Sequence, residues 1–327
     1  MFTRLQLYTI IGCILVASGI FALYEFWPRF ASRPSDSSKS ASAIDADNTP
    51  GTKEGATATE TRRVLMETPL PDSYFKLTAK SLTDIEQSAG SQKIDSTLEM
   101  EYAHQKTNDA IILTFYSMEL KLYRDGAFVE DTLMTRDKFV QRAGDRKTES
   151  SFDELPPEQQ EAMAGAFATN LIKIKLDADQ NELGRQVLSD SGYATIAEGN
   201  VNTLRLMHGP YHHGTDHWQG TKRIPMIMGL ILDCPLEYTK ANGTGNEIGI
   251  SGSLSKDEVD SPQADAAIKN VSCSISGKES FDETIGEYTS GEMTLQYKFQ
   301  IFQKGVQAGT LEGKMELSLE RVKTKGK

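Results

Sequence analysis

From Glu292 to Phe302 the chain alternates almost without interruption. Met293, Leu295, Tyr297, Phe299 and Ile301 take one parity; Glu292, Thr294, Gln296, Lys298 and Gln300 take the other. Successive strand side chains point to opposite faces, so this run fits a strand with one dry side and one wet side, and fits no helix. The pattern recurs. Ile94, Leu98, Met100 and Tyr102 alternate with Asp95, Thr97, Glu99 and Glu101. Between Ala110 and Tyr123, residues Ile112, Thr114, Tyr116, Met118, Leu120 and Leu122 are expected to share one face. Asp125-Gly126 then supplies a tight-turn signal, with Phe128 to Phe139 returning antiparallel. Further strands are expected at 74–78, 171–176, 224–234, 248–254, 271–276 and 314–322, with a turn region at Lys304 to Gly309. The run Ile224 to Cys234 is apolar on both parities in part, which suits a strand buried on two faces.

Two helices are expected. Pro156-Pro157-Glu158 opens one, with proline and carboxylates in its first turn, ending about Asn170. Tyr193 to Met207 forms another, with Ile196, Val201 and Leu204 inward. Strands follow one another with hairpin-type links and no strand–helix–strand alternation. The fold class is therefore mainly β: an antiparallel curved sheet, open barrel or sandwich with two short helices, behind one N-terminal transmembrane helix. Order is expected over 64–327, either as one body or as halves 64–207 and 218–325.

That transmembrane helix is expected from the apolar run Leu5 to Trp27, whose single charge is Glu25. Roughly 20 residues at 1.5 Å each cross a bilayer, and Tyr8, Tyr24, Phe26 and Trp27 sit towards the ends, at headgroup depth. A cleaved signal peptide lacks a good small-residue site after the run, and a lipoprotein signal at Cys13 leaves over a dozen apolar residues where a polar tether belongs. The expectation is a single-pass anchor in the plasma (inner) membrane of a bacterial envelope. It has a short stub at 1–4 and its large C-terminal body on the extracytoplasmic side. Residues 28–63 turn to Ser, Ala, Thr, Asp, Gly and Pro, a flexible linker reaching roughly 30–35 Å. The net charge of −11 leaves about −13 beyond residue 33, since Arg4, Arg29 and Arg33 outweigh Glu25 before it, and this argues against nucleic acid or anionic lipid as a partner.

Chemistry-bearing candidates are few. HGPYHHGTDHW holds four of the five histidines: His208, His212, His213 and His217, with Asp216 beside them. Imidazoles and a carboxylate can ligate zinc or another divalent transition metal, although no established zinc spacing is matched. The alternative is a polar loop anchored by Tyr211 and Trp218. Cys234 and Cys273 are the only cysteines of the body, and both fall on inward parities, as a disulfide or as two buried thiols. Glu99, Glu101, Glu119, Glu292 and Glu316 read as solvated strand faces rather than catalytic carboxylates, and His104 as a polar residue near a turn. There is no Gly-x-Ser-x-Gly elbow, P-loop or dinucleotide fingerprint. Met100, Met118, Met226, Met228, Met293 and Met315 lie on apolar parities, as core filling or as the wall of a hydrophobic cavity. The expected function is a binding or scaffold domain for a hydrophobic ligand or an envelope protein, without catalytic signature. The alternative is a metal-binding envelope protein, a hydrolase among the options, using the 208–217 loop.

Overall fold

The computed structural model describes residues 73–323 apart from 88–89, 108, 136, 145, 168–170, 178–181, 190–199, 213, 227–229, 242–245 and 260–265. The run Leu5 to Trp27 and the linker lie outside the described residues. Among the described residues, no helix is long and apolar enough to cross a membrane.

Strands β1 (Ser73–Gln87), β2 (Gly90–Lys106), β3 (Ala110–Arg124), β4 (Ala127–Thr135), β5 (Lys138–Ala143) and β6 (Arg146–Ser151) form a meander. Helix α1 (Pro157–Ala164) and the hairpin β7 (Ile172–Leu176)–β8 (Glu182–Val187) follow, and residues 200–206 are helical. A second meander runs through β9 (His217–Pro225), β10 (Ile231–Lys240), β11 (Glu247–Val259), β12 (Ala266–Asp282), β13 (Glu287–Gln303) and β14 (Val306–Lys323). The two meanders join because β1 pairs with β14 along its whole length, Ser73 opposite Lys323 to Gln87 opposite Gly309. The result is one antiparallel sheet of 14 strands running from β6 to β9 through the β1–β14 seam, with β7 and β8 branching from β3. It does not close. Among the described residues its free edges are β8 on the branch, β6, which is rich in charge, and β9, which ends on Pro225; charge and proline discourage edge-to-edge pairing.

The expected alternation is present. Met293, Leu295, Tyr297 and Phe299 are buried while Glu292, Gln296 and Lys298 face water. Asp125-Gly126 and Lys304-Gly305 each hold two successive residues at positive φ (51° and 78°, 50° and 81°), the two-residue turn that matches strand twist.

The sheet is curled. Strands β2 and β9 are eight strands apart along its order, inclusive. Flat, with about 4.8 Å between strands, they would stand roughly 34 Å from each other. Yet Tyr102 on β2 and Lys222 on β9 both hydrogen-bond His208. The sheet therefore wraps the segment that carries this residue. Close approaches permit the curl. An ideal β-carbon on Gly313 would stand 2.4 Å from the Tyr297 ring, so the ring lies over β14 and its hydroxyl reaches Thr83 on β1 at 2.9 Å.

Three expectations need correction. The face Ile112, Thr114, Tyr116 does not hold. Pairing shifts so that Ser117 opposes Glu101 but Phe115 opposes Tyr102, leaving Tyr116 as a bulge residue. Ile111, Leu113 and Phe115 are consequently the buried set before the bulge, and Met118, Leu120 and Leu122 after it. The run 224–234 is not one strand but a hairpin. The Met226 N–H donates to the Leu230 carbonyl at 2.7 Å, and Ile224 faces Leu232 across the turn, which keeps both on the inner parity. The return strand 128–139 is split between β4 and β5.

A valine at position 313 would have to displace the Tyr297 ring. Gly313→Val should cost about 1–3 kcal/mol as overpacking, measured by denaturant unfolding. Tyr297→Phe, which keeps the ring but loses the hydroxyl's bonds to Thr83 and Ser81, should cost about 1–2 kcal/mol.

Candidate functional site

The helical residues 200–206 bury Val201, Leu204 and Leu206, and Met207, His208 and Pro210 continue inward, so polar backbone is carried inside the curl. Buried carbonyls need partners. Those of Arg205 and His208 accept from the Lys222 ammonium at 2.5 and 2.7 Å. That places a cation at a helix C-terminus, where the exposed carbonyls favour it. The Gly209 carbonyl accepts from the Tyr288 hydroxyl at 3.0 Å, and the Pro210 carbonyl from the Trp218 indole N–H at 3.1 Å. Strands β9 and β13 thus satisfy the segment from two directions.

His208 sits in an aromatic cage. Its Nε2 lies 2.5 Å from the Tyr102 hydroxyl, and its ring meets Phe75 at 5.3 Å, His104 at 5.3 Å and Tyr288 at 6.0 Å. Beside it, His104 stacks on Phe75 and pairs with Glu287 at 3.4 Å, while Arg321 reaches the other Glu287 oxygen at 3.4 Å. His104 is therefore a buried strut between β2 and β13 rather than a polar turn residue.

Glu279 is the outlier. It is 1% exposed, and the Gly209 amide is the only donor among the described residues that bears on its carboxylate; the Tyr238 hydroxyl finds no hydrogen-bond partner among them. Burial pushes the Glu279 carboxyl well above its ordinary 4.5, against the pull of Lys222, the Gly209 amide and Arg205. Burial pushes the Lys222 ammonium down from 10.5, and it pushes the His208 imidazole well below 6.5, helped by His104, Arg205 and Lys222. The site can store protons, but Tyr102, His208 and Glu279 are buried away from any substrate in water.

The 208–217 loop divides. His208 points into the cage. His212 packs 5.7 Å from the Trp218 ring, and His217 meets the Thr239 hydroxyl at 3.2 Å. Asp216 offers its carbonyl to the Lys240 N–H at 2.8 Å, and His213 lies outside the described residues. Among the described residues, no three His, Cys, Asp or Glu side chains gather as metal ligands. Tyr211 and Trp218 are the loop's anchors, stacked on Phe281 at 3.7 Å and on Tyr238 at 5.5 Å. Cys234 and Cys273 are free and buried. On the wet face, Glu99 and Glu119 pair with Lys76 and Lys121, and Glu316 with Lys314. Met100, Met118, Met226 and Met293 are buried in one continuous core, and Met228 lies outside the described residues.

Sequence reasoning passed over Glu279 and Lys222, though a signal was present. Glu279 shares parity with Val271, Cys273, Ile275 and Phe281, and Lys222 with Trp218 and Ile224. A charge on an apolar parity is the mark of a buried polar group.

No family model matches the chain, and no curated protein matches it. Solved structures similar to it include lipovitellin, in a study of lipid–protein interactions (8% identity, TM-score 0.41, covering 79% of this chain). The chain spans 26% of the lipovitellin chain. The β domain of the Bordetella autotransporter BrkA is also similar (5% identity, TM-score 0.24, 75% of this chain and 99% of that one). So is a LolA superfamily protein from Nitrosomonas europaea (9% identity, TM-score 0.14, 83% and 94%). These likenesses assign no function.

Two outcomes follow for the buried cluster. Lys222→Met leaves the Arg205 and His208 carbonyls without their donor and should cost about 2–5 kcal/mol in unfolding free energy. A carboxyl with a raised folded-state pKa stabilises fully below its unfolded value of 4.5 and loses that contribution as pH climbs through the folded value. Glu279→Gln should therefore match the parent in thermal midpoint at about pH 5 and exceed it by a growing margin towards about pH 8.

Proposed function

We propose that this chain is a membrane-tethered, extracytoplasmic binding module that holds an envelope protein against the outer face of its sheet. The run Leu5 to Trp27 would hold it to the bilayer and residues 28–63 would give it reach. The reading rests on how the two faces of the sheet are used. The inner face is occupied by the chain's own α1 and residues 200–211, whereas the outer face carries open hollows among the described residues, including ones of about 560, 620 and 770 Å³. Strand β12 lines all three and β11 two of them, and along this pair Ser251, Ser253 and Ser255 stand opposite Ser276, Ser274 and Ser272. All six are exposed and small, so a partner can approach the backbone there. Lysines and carboxylates at the margins, among them Lys80, Lys278, Glu292 and Glu316, supply a polar rim.

A hydrophobic ligand remains the second reading, favoured by the apolar inner face of a curled sheet. Native mass spectrometry of the purified chain separates the two, because co-purified lipid would speak for the ligand. For the outer face, the test is cross-linking in intact cells followed by affinity isolation. The parent should give a discrete protein adduct, and Ser253→Trp with Ser274→Trp, which fill the floor without touching the core, should lose it while keeping the thermal midpoint. An adduct that survives both substitutions, or no adduct from the parent, would overturn the reading.

A further inference from the structure

Cys234 lies on β10 and Cys273 on β12, with β11 between them in the sheet. Side chains two strands apart in a regular sheet do not meet, since their backbones stand about 9–10 Å apart. Here β10 departs from that geometry. Its pairing with β11 begins at Leu236 opposite Gly252, two residues beyond Cys234, and covers five residue pairs. At the departure point, an ideal β-carbon on Gly252 would stand 2.3 Å from the Pro235 carbonyl oxygen and 2.4 Å from Leu236 Cδ2. Strand β10 therefore leans across β11 at its one glycine-cleared position, towards β12. Cys273 faces it, paired with Leu254 and Tyr297 and pointing inward.

We propose that Cys234 and Cys273 are a disulfide-forming pair that latches the edge hairpin β9–β10 to β12. The two side chains lie close enough to interact, which lowers the Cys234 thiol and, together with burial, raises the Cys273 thiol. Before the hairpin docks either thiol can open the exchange, Cys234 for instance. As thiolate it displaces one sulfur of a thiol–disulfide oxidant, giving a mixed disulfide. The Cys273 thiolate then attacks Cys234 Sγ and expels the oxidant's second sulfur. The protein loses two protons and two electrons, and the oxidant's disulfide is reduced to a dithiol. Both thiols are buried in the finished fold, so the exchange belongs to the stage at which the hairpin has not yet docked. The latch matters because β9 is a free edge, held to the sheet only through β10, and Lys222 on β9 carries the carbonyls of the inner segment.

The test uses the full-length chain with Cys13→Ser, unfolded and refolded in detergent in a buffer of glutathione and glutathione disulfide. Mass spectrometry after denaturing alkylation should show neither Cys234 nor Cys273 modified. The unfolding midpoint should stand several degrees above that of the same preparation refolded with reductant, and Cys234→Ala should erase the difference. Alkylation of both thiols after oxidative refolding would overturn the proposal, as would a midpoint indifferent to reductant. The refolding arm is independent of the cell compartment, so its result stands apart from the question of where the chain resides.

Discussion

The curl of this sheet is fixed by a debt of hydrogen bonds inside it. The chain runs from Leu204 to Pro210 through apolar surroundings, and each carbonyl left bare there would cost about 1–3 kcal/mol. No strand among the described residues pairs with this segment, so side chains must reach it. Lys222 comes from β9, Tyr288 from β13 and Trp218 from β9, while Tyr102 on β2 binds the His208 ring. Those strands are remote in the sheet order, and only a strongly curled sheet delivers all of them to three consecutive residues, His208, Gly209 and Pro210. The curl, the missing closure and the seating of the helical residues 200–206 follow from that one requirement.

The same requirement explains the electrostatics. A lysine stem is long enough to bridge from the sheet to two carbonyls, and its ammonium has three donors, so it caps a helix end where a hydroxyl could serve only one. Its burial brings a charge into the core. Glu279 on β12 offsets part of that charge, but with no donor beyond the Gly209 amide it is held in a place where its neutral form is favoured. Gly291 makes the room: a β-carbon there would stand 2.9 Å from the Met207 methyl and 3.0 Å from Glu279 Cγ. The cluster is therefore best understood as the fastening of an inner segment, with titration as its by-product.

The strands were legible because each has one wet face; alternation at Met293–Phe299 and Ile94–Tyr102 carries straight through to burial. What alternation cannot register is a change of phase. The bulge at Tyr116 moves the inner set of β3 by one residue, and the hairpin at 226–230 keeps both of its arms on one parity, so the sequence looks continuous across a reversal. The histidine loop is divided for a related reason. Local density says that imidazoles are near one another along the chain, whereas His208 is drawn into the core by partners 106 and 14 residues away and His217 is already part of β9. The true neighbours of His208, namely Tyr102, His104 and Phe75, belong to the first meander, and nothing in a linear reading joins them to residue 208.

A sheet that twists as it curls is saddle-shaped: concave inward across its strands, it is hollowed outward along the opposite diagonal. Large side chains on the outer face would fill those hollows. On β11 and β12 the floor is instead built of paired serines, residues that fit a pleated surface less well than threonine or valine and add little cross-strand packing. Solubility does not require them either, since lysine and glutamate serve on β13 and β14 a few ångströms away. Stability alone therefore gives no reason for six small hydroxyl side chains to lie together where the sheet is most hollow. Close approach by something outside the chain does, and that is why the outer face, rather than the occupied interior, is the surface on which a function for this fold should be sought.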